Sequence, residues 1–297
     1  MSVIALIAAG AMGANVGRKF VEAGFTVLTN LEGRSEATRK RAEEAGLTDA
    51  SWPDIIRQAD LILSIIPPSD AVSFATHLLE EFNATERPDS KDPLIFADCN
   101  AVNVVTIKHI AGLFMGTPIT FIDACIIGGP PAGSAVPIFY GCADPKDVSG
   151  LTKFEDTIRK SGIRVRVLDG EGAGISDASA LKMSYAGISK GVTGLFTTMI
   201  LAAHANSPAT SAALLQELGD SQPDLLSRIT RAVPAMIPKA YRWVGEMEEI
   251  AGFVGEESGD IYHGISKTYA RIERSLKEKN SDVDTLKEFV EAAKRQG

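Results

Sequence analysis

The stretch Val3-Ile4-Ala5-Leu6-Ile7-Ala8-Ala9-Gly10-Ala11-Met12-Gly13 decides the fold. Val3–Ala8 is a continuous apolar run of the length expected for a strand buried on both faces. Ala8-Ala9-Gly10-Ala11-Met12-Gly13 matches G-x-G-x-x-G with alanine in the first place, and a helical segment, Asn15–Ala23, follows. In that setting each glycine has a physical task. Gly10 lets the backbone approach a pyrophosphate, and Gly13 lets helix and strand pack closely. The helix start adds unpaired N–H groups and a partial positive charge. Ala9, Gly10, Ala11, Met12 and Gly13 are therefore assigned to a dinucleotide. Alanine at position 8 is compatible with this only if the turn needs no strongly positive φ. The competing reading is a glycine turn in an α/β protein with another ligand.

Working outward, further strands are expected at Thr26–Thr29, Leu61–Ile66, Leu94–Ala97, Thr120–Ala124, Pro137–Gly141 and Arg164–Leu168. Helical segments such as Glu36–Glu44, Asp54–Gln58 and Ser69–Glu81 lie between them. Alternation of this kind predicts an open parallel α/β sheet. After Asp169-Gly170-Glu171-Gly172 the pattern turns helical, through Ala178–Ala205, Leu225–Ile229, Ala240–Ala251 and Asp282–Ala293. The fold class is thus α/β: a Rossmann-type doubly wound sheet over residues 1–168, followed by an all-α domain over 169–297.

The 297 residues carry a formal net charge of −8, and no Lys/Arg block stands out. Nucleic acid and anionic membranes are therefore not expected partners. The uncharged stretch Met1–Val16 lacks the basic start of a signal peptide and reads as strand and turn. A second uncharged stretch, Gly191–Ser207, reads as too short and polar to span a bilayer. Cys99, Cys125 and Cys142 show no C-x-x-C spacing, which argues against zinc or a disulfide framework and fits a reducing, cytoplasmic setting. The four histidines show no metal-ligand spacing.

The second strand ends at Asn30, where domains that prefer NAD usually place an acid for the ribose hydroxyls. Arg34 and Ser35 follow, with Arg39 one helical turn further, and these favour the 2′-phosphate of NADP. Glu32 keeps NAD open, and the alternative for Arg34 is a solvated loop residue. Ile66 and Pro67 are assigned to the cofactor site: Pro67-Pro68 ends the next strand and either shapes the adenosine side or is a purely structural turn. Asn100 follows the fourth strand of this reading, at the edge where ligands bind. It is assigned to the nicotinamide ribose or the substrate, with a turn-forming role as the alternative.

These landmarks carry a resemblance. Gly10-Ala11-Met12-Gly13, Ile65-Ile66-Pro67, Phe96-Ala97-Asp98-Cys99-Asn100, Phe121-Ile122-Asp123-Ala124-Cys125-Ile126-Ile127-Gly128-Gly129 and a lysine at the start of the first C-terminal helix resemble the β-hydroxyacid dehydrogenase family. That family includes 6-phosphogluconate and 3-hydroxyisobutyrate dehydrogenases. Ile126-Ile127-Gly128-Gly129-Pro130-Pro131, Ala180-Leu181-Lys182-Met183 and Glu246-Met247-Glu248-Glu249 resemble a branch with a DUF1932-type C-terminal domain. The resemblance implies hydride transfer between a nicotinamide and a hydroxy acid or related carbonyl compound, with Lys182 as general base. The residues agree: Lys182 lies in a long, charge-poor helix, and a desolvated lysine is pushed toward the range useful for proton transfer. A lysine snorkelling to solvent is the bland alternative. Gly128 and Gly129 match the substrate loop, whose backbone N–H groups and preceding serine bind the substrate carboxylate. Here the serine position is Ile127. The asparagine expected four residues after the lysine is Ala186, and Tyr185 is assigned to replace it.

Lys190 reads as a solvated residue. Arg242, Glu246 and Glu249 share a helix face at i, i+4 and i+7 and read as surface ion pairs or as a substrate-facing group. His263 reads as structural or cleft-facing. The resemblance implies a homodimer through the helical domain, acting on a small-molecule substrate. Two rival functions remain: an imine reductase or reductive aminase, and a non-catalytic dinucleotide-binding protein.

Overall fold

The computed structural model describes residues 2–133, 135–278 and 281–296. The chain divides into two compact units, Met1–Lys182 and Met183–Gly297. The first contains β1 (Val3–Ile7), α1 (Ala11–Glu22), β2 (Thr26–Thr29), α2 (Glu36–Glu44), β3 (Thr48–Asp49), α3 (Trp52–Gln58) and β4 (Leu61–Ser64). It continues with α4 (Ala71–Ala84), β5 (Ile95–Asp98), α5 (Val104–Leu113), β6 (Thr120–Ile127), β7 (Ile138–Cys142), α6 (Val148–Lys160) and β8 (Arg164–Val167). A long helix, α7 (Asp177–Asn206), begins in this unit and runs on into the second. The sheet therefore ends at Val167, while the division between units falls within α7.

The sheet has the order β3-β2-β1-β4-β5-β6-β7-β8. It is parallel except for β6 and β7, which pair antiparallel from Asp123↔Cys142 to Ile127↔Ile138. An all-parallel sheet was the expectation. The physical reason for the difference is the short connection from Gly128 to Pro137, whose described residues hold no helix and which allows only a return beside β6. The edge strand β3 has no apolar signature and pairs only Leu28↔Thr48 and Thr29↔Asp49. Strand β6 extends three residues past Ala124, bringing Ile127 to the end of the ladder.

Apolar side chains alternate to both faces of the sheet, as the period of two requires. Leu6, Leu63, Ile122 and Ala124 meet Phe20 and Phe154 on one face. Ile62, Phe96 and Phe121 meet Ile56, Leu78 and Ile107 on the other. Helices start where capping side chains sit: Ser51 Oγ accepts from Asp54 N at 3.3 Å, and Asn103 Oδ1 accepts from Val105 N and Thr106 N.

The second unit contains the rest of α7, then α8 (Pro208–Ser221), α9 (Pro223–Met236), α10 (Ala240–Val254), α11 (Glu256–Glu278) and α12 (Ser281–Gln296). Helix α7 is long and apolar enough to cross a bilayer by length and composition. The reading of Gly191–Ser207 as too short is therefore corrected: all of it but Ser207 belongs to a 30-residue helix. One face of it packs against α11. A Cβ on Gly187 would lie 3.0 Å from Tyr262 Oη, and one on Gly194 would lie 2.5 Å from Ile265 Cγ2. These glycines let α7 and α11 lie close together, and Thr193, Thr197 and Ile200 are buried with them.

Candidate functional site

The glycine turn divides its labour as the motif requires. A Cβ on Gly13 would lie 2.0 Å from Ala8 O and 2.9 Å from Leu6 Cδ2, so only glycine allows α1 to pack on β1. A Cβ on Gly10 would meet nothing within 4 Å. The space in front of Gly10 is thus left open by the protein itself. Gly10 is the N-cap of α1 in an extended conformation, with no capping side chain and no acid in the first turn. The N–H groups of that turn have no intrahelical acceptor, so they and the helix dipole are offered to an anion. Ala9 is buried, Ala11 is exposed, and Met12 packs partly against the core. Among the described residues Ser176 is the only non-glycine with positive φ, so Ala8 meets the condition set for it.

The segment between β2 and α2 carries Asn30, Arg34 and Ser35. Asn30 Nδ2 donates to Ala50 O at 3.0 Å, which ties β2 to the segment after β3. Arg34 is exposed, and Ser35 is the N-cap of α2, its Oγ 3.1 Å from Thr38 Oγ1. Arg39 is anchored by donating to Leu31 O at 2.5 Å and to Arg34 O at 3.3 Å. A shallow cleft of about 270 Å³ is lined by Asn30, Glu32, Arg39, Asp49, Ala50 and Ser51. Sequence reading passed over Arg41. Its Nε donates to Ala9 O at 3.2 Å and its guanidinium also reaches Thr38 Oγ1, so it props the glycine turn from α2. No local pattern marks it, because its partner lies 32 residues away in the turn after β1.

At the ends of β4 and β5, Asn100 accepts from Ile66 N at 2.7 Å, donates to Ser64 Oγ at 2.9 Å and is itself fixed by Asp98. It is 2 % exposed. Its amide ties the two strand ends and orients Ile66, and Pro67 stands exposed beyond them. The turn-forming alternative describes this geometry better than direct contact with a ligand.

Ser64, Asp98, Asp123 and Cys142 form one row across four strands. Asp98 and Asp123 are fully buried neighbours in it. Burial pushes Asp98 up to about 7, and Asp98 Oδ2 has no hydrogen-bond partner. Burial also raises Asp123, to about 6, against the opposing pull of donors at the start of α7. Ser176 N and Ser179 N donate to Asp123 Oδ2 at 3.0 and 3.2 Å, and Ser179 Oγ donates to Oδ1 at 2.7 Å. Asp123 thus caps α7 from β6. One turn further, Lys182 Nζ donates to Ile126 O at 2.5 Å. This sets Nζ beside Ile127, Gly128 and Gly129. Gly128 has φ +122 and a Cβ there would crowd Pro137, whereas Gly129 is open. Because β1, β4, β5 and β6 run parallel, Lys182 and the glycine turn lie at the same edge of the sheet.

In the second unit, Tyr185 follows Lys182 by one helical turn on α7 and is 53 % exposed. Lys190 is not solvated, contrary to expectation. It pairs with Glu246, lies 5.3 Å from the centre of the Trp243 ring, and both charged side chains are largely buried. Tyr269 Oη donates to Lys190 O at 2.5 Å, and Arg242 Nε approaches Glu246 Oε1 at 3.5 Å. Glu246 is therefore the centre of an internal network and not a surface ion pair. His263 Nδ1 and Glu248 Oε2 are 2.7 Å apart on the exterior. Among the described residues no group of three or more His, Cys, Asp or Glu side chains is arranged to hold a metal ion.

A family model for the NAD binding domain of 6-phosphogluconate dehydrogenase matches residues 3–154, and a domain of unknown function, DUF1932, matches residues 205–272. No curated protein matches significantly. Among solved structures, a conserved hypothetical protein from Sinorhizobium meliloti 1021 is similar at 21% identity and a TM-score of 0.67, over 100% of this chain and 97% of that one. The 3-hydroxyisobutyrate dehydrogenase of Mycobacterium tuberculosis, determined with L-serine, is similar at 17% identity and TM-score 0.65, over 92% and 99%. An imine reductase from Myxococcus stipitatus in complex with NADP+ is similar at 14% identity and TM-score 0.54, over 98% and 100%. At these identities the likeness is one of fold.

Proposed function

Because the chain belongs to the family defined by the NAD-binding domain of 6-phosphogluconate dehydrogenase, we propose that it is an NAD(P)-dependent oxidoreductase acting on a hydroxy acid or related carbonyl compound. The observation that carries this reading is the placement of Lys182, held on Ile126 O at the sheet edge that also bears the open glycine turn. The bare first turn of α1 and the space before Gly10 fit a pyrophosphate. A bound nicotinamide would supply the hydride acceptor for the carbinol carbon. Lys182 takes the hydroxyl proton at Nζ, and Ile126 O keeps that amine aimed. The backbone N–H groups of Gly128 and Gly129 orient the substrate's acidic group, and Tyr185 assists as a hydrogen-bonding residue. Asn100 acts as a positioning residue by fixing the Ile66 edge.

Arg34 and Ser35, at the start of α2, support NADP over NAD, since the 2′-phosphate adds negative charge there. The three cysteines are buried free thiols, which supports a reducing, cytoplasmic setting. Tyr185, Ile188, Leu195 and Met199 form an exposed apolar stripe along α7. Their spacing supports a homodimer in which a second copy of the chain covers that stripe.

The test is an oxidation screen over hydroxy acids with NAD and NADP, run beside Lys182→Ala. The variant is expected to lose about 10²–10⁴ in kcat while keeping its affinity for NADPH. Equal oxidation by both proteins removes Lys182 from the mechanism. A second reading, reduction of imines, is favoured by Ile127 and Ala186, which stand where hydroxy-acid enzymes of this family carry serine and asparagine. Turnover of cyclic imines without turnover of hydroxy acids would select it.

A further inference from the structure

A second cleft, of about 520 Å³, opens beside the Gly128-Gly129 loop and is lined by Gly129, Pro130, Ala135, Val136, Pro137 and Arg164. Five of these six residues offer no charge. Arg164 is the first residue of β8, and its guanidinium donates to Val136 O at 3.0 Å. That bond uses one of five N–H donors and aims the group along the loop. Among the described residues Arg164 forms no ion pair with a carboxylate, although it stands exposed beside a cleft.

The register places this arginine relative to Lys182. Ile127 pairs with Ile138, and Ile138 pairs with Arg164, so these three side chains share one face of the sheet in one row. Asp123, Cys125 and Ile127 lie on that same face by alternation, and Ala178 at the start of α7 packs there against Cys125 and Cys142. Lys182 and Arg164 are thus on one face, at one edge, with Arg164 displaced by two strand spacings of roughly 5 Å each from the β6 terminus. A substrate whose hydroxyl faces Lys182 reaches Arg164 only with a group several bonds away.

We infer that this cleft is a substrate subsite, and that Arg164 recognises a carboxylate at the far end of an extended hydroxy acid. The proposal rests on the oxidoreductase reading and names the class of substrate for it. Two features favour a carboxylate. A single guanidinium matches a single carboxylate in a two-pronged pair, whereas a phosphate dianion would call for further cations in the lining. The apolar remainder, Pro130, Ala135, Val136 and Pro137, suits a methylene chain leading to that group.

The test compares adipate, with two carboxylates, with hexanoate, with one, as ligands of the full chain in calorimetric titrations with and without NADP. Wild type is expected to prefer adipate by about tenfold, the worth of one charge-assisted interaction. Arg164→Gln brings the ratio near one, and Arg164→Lys keeps part of it. The lysine variant keeps a cation on β8, so loss of preference in Arg164→Gln is separable from misfolding. No preference in wild type, or an unchanged preference in Arg164→Gln, overturns the subsite. Inorganic phosphate competing as strongly as adipate overturns the carboxylate assignment. Failure of the underlying reading looks different: the Arg164-dependent preference persists while no hydroxy acid is oxidised in a Lys182-dependent manner.

Discussion

Asp123 and Ser179 are joined twice: Ser179 Oγ donates to Asp123 Oδ1 at 2.7 Å, and Ser179 N donates to Oδ2 at 3.2 Å. Through this pair a strand of the sheet caps the helix that carries Lys182. Ser179→Ala removes one of the two bonds in a fully buried place and is expected to cost about 1–3 kcal/mol. Asp123→Ala exposes more, because Ser176 N and Ser179 N both lose their acceptor, and it should destabilise further. Turnover should fall in both variants with little change in NADPH affinity, since the glycine turn is untouched. Denaturant melts and cofactor titrations check this; a loss of NADPH binding equal to the loss of turnover contradicts the capping role.

Asp98 predicts a pH dependence. Burial raises it to about 7 from an ordinary value of 3.8. Between those values the folded chain keeps a proton that the unfolded chain has released. Stability is therefore fully present below the unfolded value and falls as pH rises toward about 7. Asp98→Asn stays neutral and should shrink the difference in melting temperature between pH 5 and pH 8. Identical pH profiles for wild type and Asp98→Asn would rule this out.

Gly10 and Gly13 separate binding from folding. Gly13→Ala places a methyl group 2.0 Å from Ala8 O, which must push α1 off β1 and lower the melting temperature sharply. Gly10→Ala meets no protein atom and should fold normally while losing tenfold or more in dinucleotide affinity. An unchanged affinity in Gly10→Ala would mean that the pyrophosphate does not approach this residue.

Lys190 and Glu246 are expected to couple. Removing one partner of a largely buried ion pair takes away the other's nearest counter-charge, at a cost on the order of 3 kcal/mol. Lys190→Met and Glu246→Leu should each destabilise, and the double variant should cost clearly less than their sum. Strict additivity in a double-mutant cycle would show that the pair carries no coupling.

The stripe on α7 predicts oligomeric state. Leu195→Asp with Met199→Asp places two charges on an exposed apolar face without disturbing the buried residues of the helix. Light scattering after size exclusion should show a dimer for wild type and a monomer for the variant. A monomeric wild type would sink the proposal.

The fold was legible wherever neighbouring residues carry the signal. The apolar runs of β1, β4 and β5, the glycine turn and the change to helical periodicity after residue 169 are local patterns, and the structure follows them. Strand β3 escaped notice because two polar residues at an edge have no periodicity. The direction of β7 was written in the shortness of the link from Gly128 to Pro137, but reading it required weighing loop length against strand count. The sequence by itself determined the order of elements, the place of the open glycine turn and the position of Lys182 near the start of a helix. Only the tertiary structure decided what the buried charges do. Asn100 gained a clasp between two strand ends, Lys190 turned from a solvated residue into half of an internal ion pair, and Arg41 became a prop for the turn. The reason is physical. A side chain's periodicity is set by its neighbours in the chain, but the state of a polar group out of water is set by partners that distant elements bring to it.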